Sequence, residues 1–308
     1  MVILISIAAQ RTEAQLTRAI KIVVPIAPGG GADILARMLA EQIARTSGRT
    51  FVVENRPGAG AIVGTEAVSR AAPDGNTVLL TGNSFVINPN LRKMTYDPLT
   101  SFEPVCNLAS VPLLIVVNSA SPYRKLSDLL EAARVRPGVL TLAWSGPATA
   151  LHIASAMLIR AAAIDMSYIP YPGTAPAVSA LLGEHVTSAF ADYPGVRQQL
   201  KVGQLRALAS ATRMRIDPEI PAVAESGYDE LEVDGWYGVA APAKTPELAL
   251  SQLAGLFSAA LQAAEFMPKL AAQGLFPVGK CGAEFGEYLR QQHDLYSRVI
   301  RESNIKEE

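Results

Sequence analysis

Short β-branched runs alternate with amphipathic stretches along nearly the whole chain, and this alternation constrains the fold more than any other feature. The run "IKIVV" (Ile20–Val24) gives way to Ile34, Leu35, Met38, Leu39 and Ile43, spaced to lie on one helical face. Asp33 is placed to cap that helix and Gly48 to stop it. "TFVVE" and "TVLLT" are two further strands, separated by a helical stretch that ends at the turn signal "APDG" (Ala72–Gly75). A second series begins at "PLLIVVN" (Pro112–Asn118). It continues through "VLTLAW", "MSYIP", "HVTSAFAD" and "QLRALAS", with helical patterns between most of them. Two long helical patterns, about 246–273 and 283–303, close the chain. Parallel strands need a crossover of a dozen or more residues, usually a helix, so the alternation predicts an α/β fold.

The strands fall into two series, which predicts two α/β units with the C-terminal helices returning to the first. The expected lobes are residues 16–112 plus 238–308 and residues 113–237. The chain then crosses twice, near 111–117 and 233–240. Both segments read as strand, which suits a hinge. Residues 1–15 hold a short apolar run, "VILISIAA", with no Lys or Arg before it. It reads either as a truncated export signal or as an ordinary first strand, and is too short to span a bilayer.

Composition removes several classes. The formal charge of the 308 residues is -1, so no basic surplus supports contacts with a phosphate backbone, and nucleic acid is not an expected partner. Three histidines, His152, His185 and His293, stand at unrelated spacings that suggest no metal site. Cys106 and Cys281 are far apart and belong to no CxxC motif. Two separate apolar thiols are the favoured reading and a bridge the alternative.

Catalytic motifs are decoys here. "GLFPVGKC" (Gly274–Cys281) fits GxxxxGK but has Cys281 where a hydroxyl should meet magnesium, and it follows a helix, so it reads as a helix stop and a turn. "PGGGAD" places Ile34 where a dinucleotide fingerprint needs its third glycine. "TGNSFV" lacks the last glycine of a nucleophile elbow. No constellation of catalytic residues is expected, and no cofactor.

What remains is a set of small, polar loops, each after a strand and before a helix: "APGGGAD" (27–33), "TGNS" (81–84), "SGPATALH" (145–152), "YPGTAP" (171–176) and "ADYPG" (191–195). In open α/β sheets such loops gather beyond the carboxyl ends of the strands, where ligands bind. Helix starts there favour negative charge, so loops with few titratable groups suit gripping an anion without transforming it. Single residues keep two readings each. Asp33 is a helix cap or a ligand contact, His152 a structural histidine or a ligand donor. Asp192 is a turn former or the acceptor for a ligand ammonium or hydroxyl. Trp236 and Tyr237 are expected to pack between the lobes.

In this order, the loops resemble the Bug family, the periplasmic solute receptors of tripartite tricarboxylate transporters. The stretches "ENRPGAG", "APDG", "PYPG" and "WYG" carry the likeness, which runs from about Ile20 to the C-terminus. The resemblance implies a type II periplasmic-binding-protein fold that closes on a small organic carboxylate. It also implies periplasmic localisation, delivery to membrane transporter subunits and, in our reading, a monomer. By position it places the ligand at Pro28, Gly29, Gly30, Gly31 and Asp33, at Ser84, at Ser145, Thr149 and His152, at Tyr171, Gly173 and Thr174, and at Asp192. Two departures bear on the ligand: Pro172 stands where the family often has Lys or Arg, and Pro147 removes an N–H from its loop. The competing readings are an α/β enzyme, a dehydrogenase or transferase using the glycine loop for a phosphate-bearing cofactor, and the ligand-sensing domain of a regulator.

Overall fold

The computed structural model describes residues 19–144, 146, 148–171, 173–212, 216–229 and 231–305, so the apolar run of residues 2–9 and Ser145, Pro147 and Pro172 lie outside the described residues. The chain builds two mixed sheets. The first has the order β11-β4-β10-β3-β1-β2. Its strands are β1 (Ile20–Val24), β2 (Phe51–Asn55), β3 (Thr77–Gly82), β4 (Phe102–Val111), β10 (Gly235–Pro242) and β11 (Phe276–Cys281). The second, in the order β7-β6-β8-β5-β9, uses β5 (Leu113–Asn118), β6 (Thr141–Trp144), β7 (Ser167–Pro170), β8 (Ser188–Asp192) and β9 (Leu205–Ser210). All five therefore come from residues between β4 and β10.

β1 lies between β2 and β3 and runs parallel to both, and helices cover its faces. That is why it reads as an unbroken apolar run, with only Lys21 half-buried among its five residues. The helix after it, α1 (Gly31–Ser47), buries Leu35, Ala36, Leu39 and Ile43 on one face, and Gly48 ends it in the left-handed region at φ 70°. It starts earlier than the sequence suggests. Gly30 is its N-cap, and Asp33, in its first turn, reaches back to accept the Gly29 N–H. The expected long helix at 246–273 is two, α8 (Glu247–Gln262) and α9 (Phe266–Ala272). The last helix, α10 (Ala283–Glu302), buries Phe285, Leu289, Tyr296, Val299 and Ile300 against the first sheet. Trp236 of β10 is 1% exposed and packs edge-on against Phe285 and Tyr288 of that helix.

Two readings of the C-terminal part are corrected. "FPVGKC" is not a turn but the edge strand β11, antiparallel to β4 with Cys281 opposite Cys106. The two cysteines are accordingly a disulfide, not separate thiols. The register places their Cα atoms 3.9 Å apart, a proximity that 175 residues of intervening sequence conceal. Among the described residues, no helix is long and apolar enough to cross a membrane.

Candidate functional site

A cavity of about 210 Å³ lies where the two sheets face each other. Larger hollows exist elsewhere on the surface, but this one alone among those described is walled by helix starts that follow strands of both sheets. Ala32 comes from α1, and Asn83 and Ser84 from the start of α3 (Ser84–Leu91). Ala61 leads into α2 (Ile62–Ser69), Thr149, Ala150 and Leu151 open α5 (Ala150–Ala162), and Asp192 leads into α7 (Tyr193–Lys201). The first N–H groups of a helix have no intrahelical carbonyl, and the macrodipole puts about half a positive charge at each such end. Leu80, Val111, Leu113, Trp236 and Tyr237 complete a largely apolar wall. Among the described lining residues there is no Lys, Arg or His. Nor do the described residues contain a group of three His, Cys, Asp or Glu able to hold a metal.

The residues named from sequence separate into those on this wall and those behind it. Ser84, Thr149 and Asp192 line the cavity. The Thr149 hydroxyl is spent on the local fold, donating to the Gly146 carbonyl at 3.0 Å and accepting the His152 N–H at 3.2 Å. That leaves the N–H groups of Ala150 and Leu151 at the helix start. Asp192 accepts from the Gly195 N–H at 2.8 Å and from the Thr174 hydroxyl at 3.1 Å. Burial raises its carboxyl above the ordinary range even though those two bonds pull the other way.

Asp33 stands behind the wall. Its Oδ2 accepts from the Gly29 N–H at 2.9 Å and from Arg37 Nε at 3.1 Å, and its Oδ1 accepts from Asn55 Nδ2 at 3.0 Å. Burial opposes its charge, but the bonds from Arg37, Gly29 and Asn55 outweigh that and hold its carboxyl low. It is an anchor for the glycine loop, not a free ligand group. Pro28, Gly29 and Gly30 flank the cavity without lining it. Gly31 touches it through Tyr237, because a Cβ at Gly31 would lie 2.7 Å from the Tyr237 hydroxyl. Gly173, at φ 130°, caps α6 (Thr174–Leu182) beside open space, and Tyr171 packs on the core of the second sheet.

His152 faces elsewhere. Its ring stacks on Trp144 at 4.1 Å in a separate hollow with Tyr168 and Arg160, and burial pushes its pKa down to about 4. Two wall residues were not named as ligand contacts from the sequence, although Asn83 lies in the loop "TGNS". Asn83 donates to the Asp234 carbonyl at 2.8 Å and to the Tyr296 hydroxyl at 2.7 Å, and it accepts the Trp236 N–H at 3.1 Å. Tyr237, expected only as packing between lobes, presents its ring to the cavity. Burial and the nearby charge of Asp192 push its phenol up.

Residues 35–305 match the family model described as "Tripartite tricarboxylate transporter family receptor". The chain belongs to this receptor family. The receptor is 34% identical over 296 residues to Protein BugT of Bordetella pertussis, covering 94% of this chain and 90% of that one. Among solved structures it resembles the periplasmic binding protein BugD, at 33% identity and a TM-score of 0.81, over 94% of this chain and 99% of that one. It also resembles R. palustris Rpa4515 with adipate, at 28% identity and a TM-score of 0.85, over 94% and 98% of the two chains. The two-lobed periplasmic-binding-protein fold is shared with these structures. The family's role is solute binding without catalysis, so the receptor is not an enzyme.

Proposed function

We propose that the receptor captures a small organic carboxylate between its two lobes outside the cytoplasmic membrane and hands it to a transporter. The observation that carries this reading is the convergence of helix starts from both sheets on one cavity walled, among the described residues, without a cation. N–H groups at Ala32, Ser84, Ala150 and Leu151 hold the carboxylate by hydrogen bonds and dipole, and the Ser84 hydroxyl adds a donor. Gly29–Gly31 and Asp33 shape the first of these starts. One lobe is built on the first sheet and the other on the second, with the chain crossing between them at Pro112 and just before Gly235; residues 235–240, expected within the second crossing, belong to β10 of the first sheet. The Cys106–Cys281 disulfide supports a periplasmic location, because such bonds persist in oxidising compartments. The adipate bound by the Rpa4515 structure supports a carboxylate ligand. The receptor acts as a monomer.

The test is a thermal-shift screen of linear and aromatic carboxylates alongside their neutral amides, followed by small-angle scattering with the best carboxylate. A ligand at 100 times its Kd raises stability by about 2.7 kcal/mol, well within detection. A bound carboxylate with a smaller radius of gyration is the expected outcome. Binding with an unchanged radius refutes closure, and stabilisation only by non-acidic compounds refutes the ligand class.

A further inference from the structure

The donors around the cavity are not equivalent. At α7 every early N–H is already used: Tyr193 N–H donates to the Pro112 carbonyl at 2.8 Å, Pro194 has none, and Gly195 N–H donates to Asp192. α2 likewise spends the N–H groups of Ile62 and Val63 on the carbonyls of Ala59 and Gly58. Only α1, α3 and α5 keep free starts on the wall, while the corner between Asp192 and Tyr237 carries the one carboxylate that the described lining contains. We propose that this corner accepts a hydrogen bond from the ligand, so that the receptor selects a monocarboxylate bearing a second group that donates, such as a hydroxyl, over a dicarboxylate. This rests on the carboxylate reading of the cavity and narrows it.

The charge balance gives the reason. Three free helix starts, at about half a charge each, supply about one and a half positive charges, and Asp192, in the ionised form that its bonds from Gly195 and Thr174 favour, cancels one of them. A monoanion then leaves the cavity near balance. A dianion leaves an excess negative charge beside the carboxylate of Asp192 in a poorly solvated space, where like charges are costly. A hydroxyl at that corner gives Asp192 a third donor after Gly195 and Thr174, and its oxygens have lone pairs to spare. An apolar end would bury the carboxylate without that donor.

Titration calorimetry on the full chain tests this with three matched sets. They are butyrate, 4-hydroxybutyrate and succinate; pentanoate, 5-hydroxypentanoate and glutarate; and hexanoate, 6-hydroxyhexanoate and adipate. At the chain length that binds best, the hydroxy acid should bind at least tenfold tighter than both the plain acid and the dicarboxylate. Asp192→Asn keeps an oxygen for the Gly195 N–H. It should shrink the advantage over the plain acid to under threefold and strengthen dicarboxylate binding at least tenfold. A dicarboxylate that equals the hydroxy acid on the parent protein overturns the proposal whether or not the variant folds. So does a folded variant that leaves both ratios unchanged. If none of the nine acids binds while the thermal-shift screen finds another carboxylate, this inference fails and the carboxylate reading stands; if the screen finds no carboxylate either, both fail.

Discussion

Three adjacent glycines give three separable outcomes, each worked from the backbone and its neighbours. Gly29 has φ 88° with nothing within 4 Å of an added Cβ. Gly29→Ala should therefore cost about 1 kcal/mol of backbone strain and leave the wall of the cavity untouched. Gly30 has an extended backbone at φ -77°, and its Cβ would be crowded by the Ile26 side-chain tip at 2.9 Å, with the Ala27 carbonyl at an ordinary 3.9 Å. A tip can swing aside, so Gly30→Ala should change stability and binding little. Gly31→Ala differs in kind. Its Cβ would lie 2.7 Å from the Tyr237 hydroxyl and 3.3 Å from Cε2, where contacts normally begin near about 3.5 Å. The ring must therefore move by about 0.8 Å. It cannot retreat toward Gly82, because the ring already lies so close there that a Cβ on Gly82 would sit 3.3 Å from Tyr237 Cδ1. The remaining space is the cavity. Overpacking of this kind costs about 1–3 kcal/mol, and the displaced phenol should weaken ligand binding at least tenfold, about 1.4 kcal/mol. Calorimetry and melting curves on all three variants separate the cases. The reasoning is refuted if Gly31→Ala binds like the parent, or if Gly29→Ala loses affinity as severely.

The remaining predictions concern the frame around the cavity. Replacing both Cys106 and Cys281 by Ala frees a closed loop of 175 residues, a loss of about 5 kcal/mol in the chain-entropy account, so the melting temperature should fall by roughly 10 °C or more while affinity holds. Asn83→Ala leaves the Trp236 N–H and the Asp234 carbonyl without their partner, and denaturant unfolding should show a loss of about 3 kcal/mol. Burial, reinforced by the charge of Glu232, pushes the Asp234 carboxyl up to about 6 from an ordinary 3.8, although a bond from Thr212 opposes it. The folded state then binds a proton that the unfolded state has released, so stability falls as pH rises from about 4 to about 6. Asp234→Asn should accordingly stabilise by up to about 3 kcal/mol at pH 7.5 and by almost nothing at pH 4, as read from urea midpoints at both.

The central strands were legible because burial on both faces turns them into continuous apolar runs, as in "IKIVV", parallel to both neighbours, and "PLLIVVN", antiparallel to both. β4 was not, because "FEPVCNLASV" carries Pro104 and the buried Asn107 and shows neither an apolar run nor clean alternation. The start of α1 was placed three residues late because glycine is a poor interior helix former, whereas at the N-cap and first position its cost is small. Ser84, Thr149 and Asp192 could be picked out since each stands where a strand meets a helix. Asn83 lies in the loop "TGNS" at such a junction, but nothing in the sequence separates it from Ser84, and Tyr237, inside a strand, had no such signal. Asn83 matters through residues 234, 236 and 296, and Tyr237 through Gly31 and Gly82. Such long-range meetings are set by sheet order, not by spacing. His152 shows the opposite error: its backbone belongs to the helix that opens on the cavity, but its side chain leaves by another face.

The second sheet, drawn wholly from residues between Val111 and Gly235, also sets an order for folding. All of its pairings lie within that stretch, so it can form before the rest of the chain is in place. The first sheet must instead pair Val111 with Gly235 across that entire stretch. Collapse of the inserted unit brings those two residues together and turns a very long loop into a short bridge. The inserted unit thus works as a folding template for its host. Core substitutions in it, such as Phe190→Ala, should slow completion of both sheets, whereas substitutions in β11 should leave the early phase of refolding unchanged.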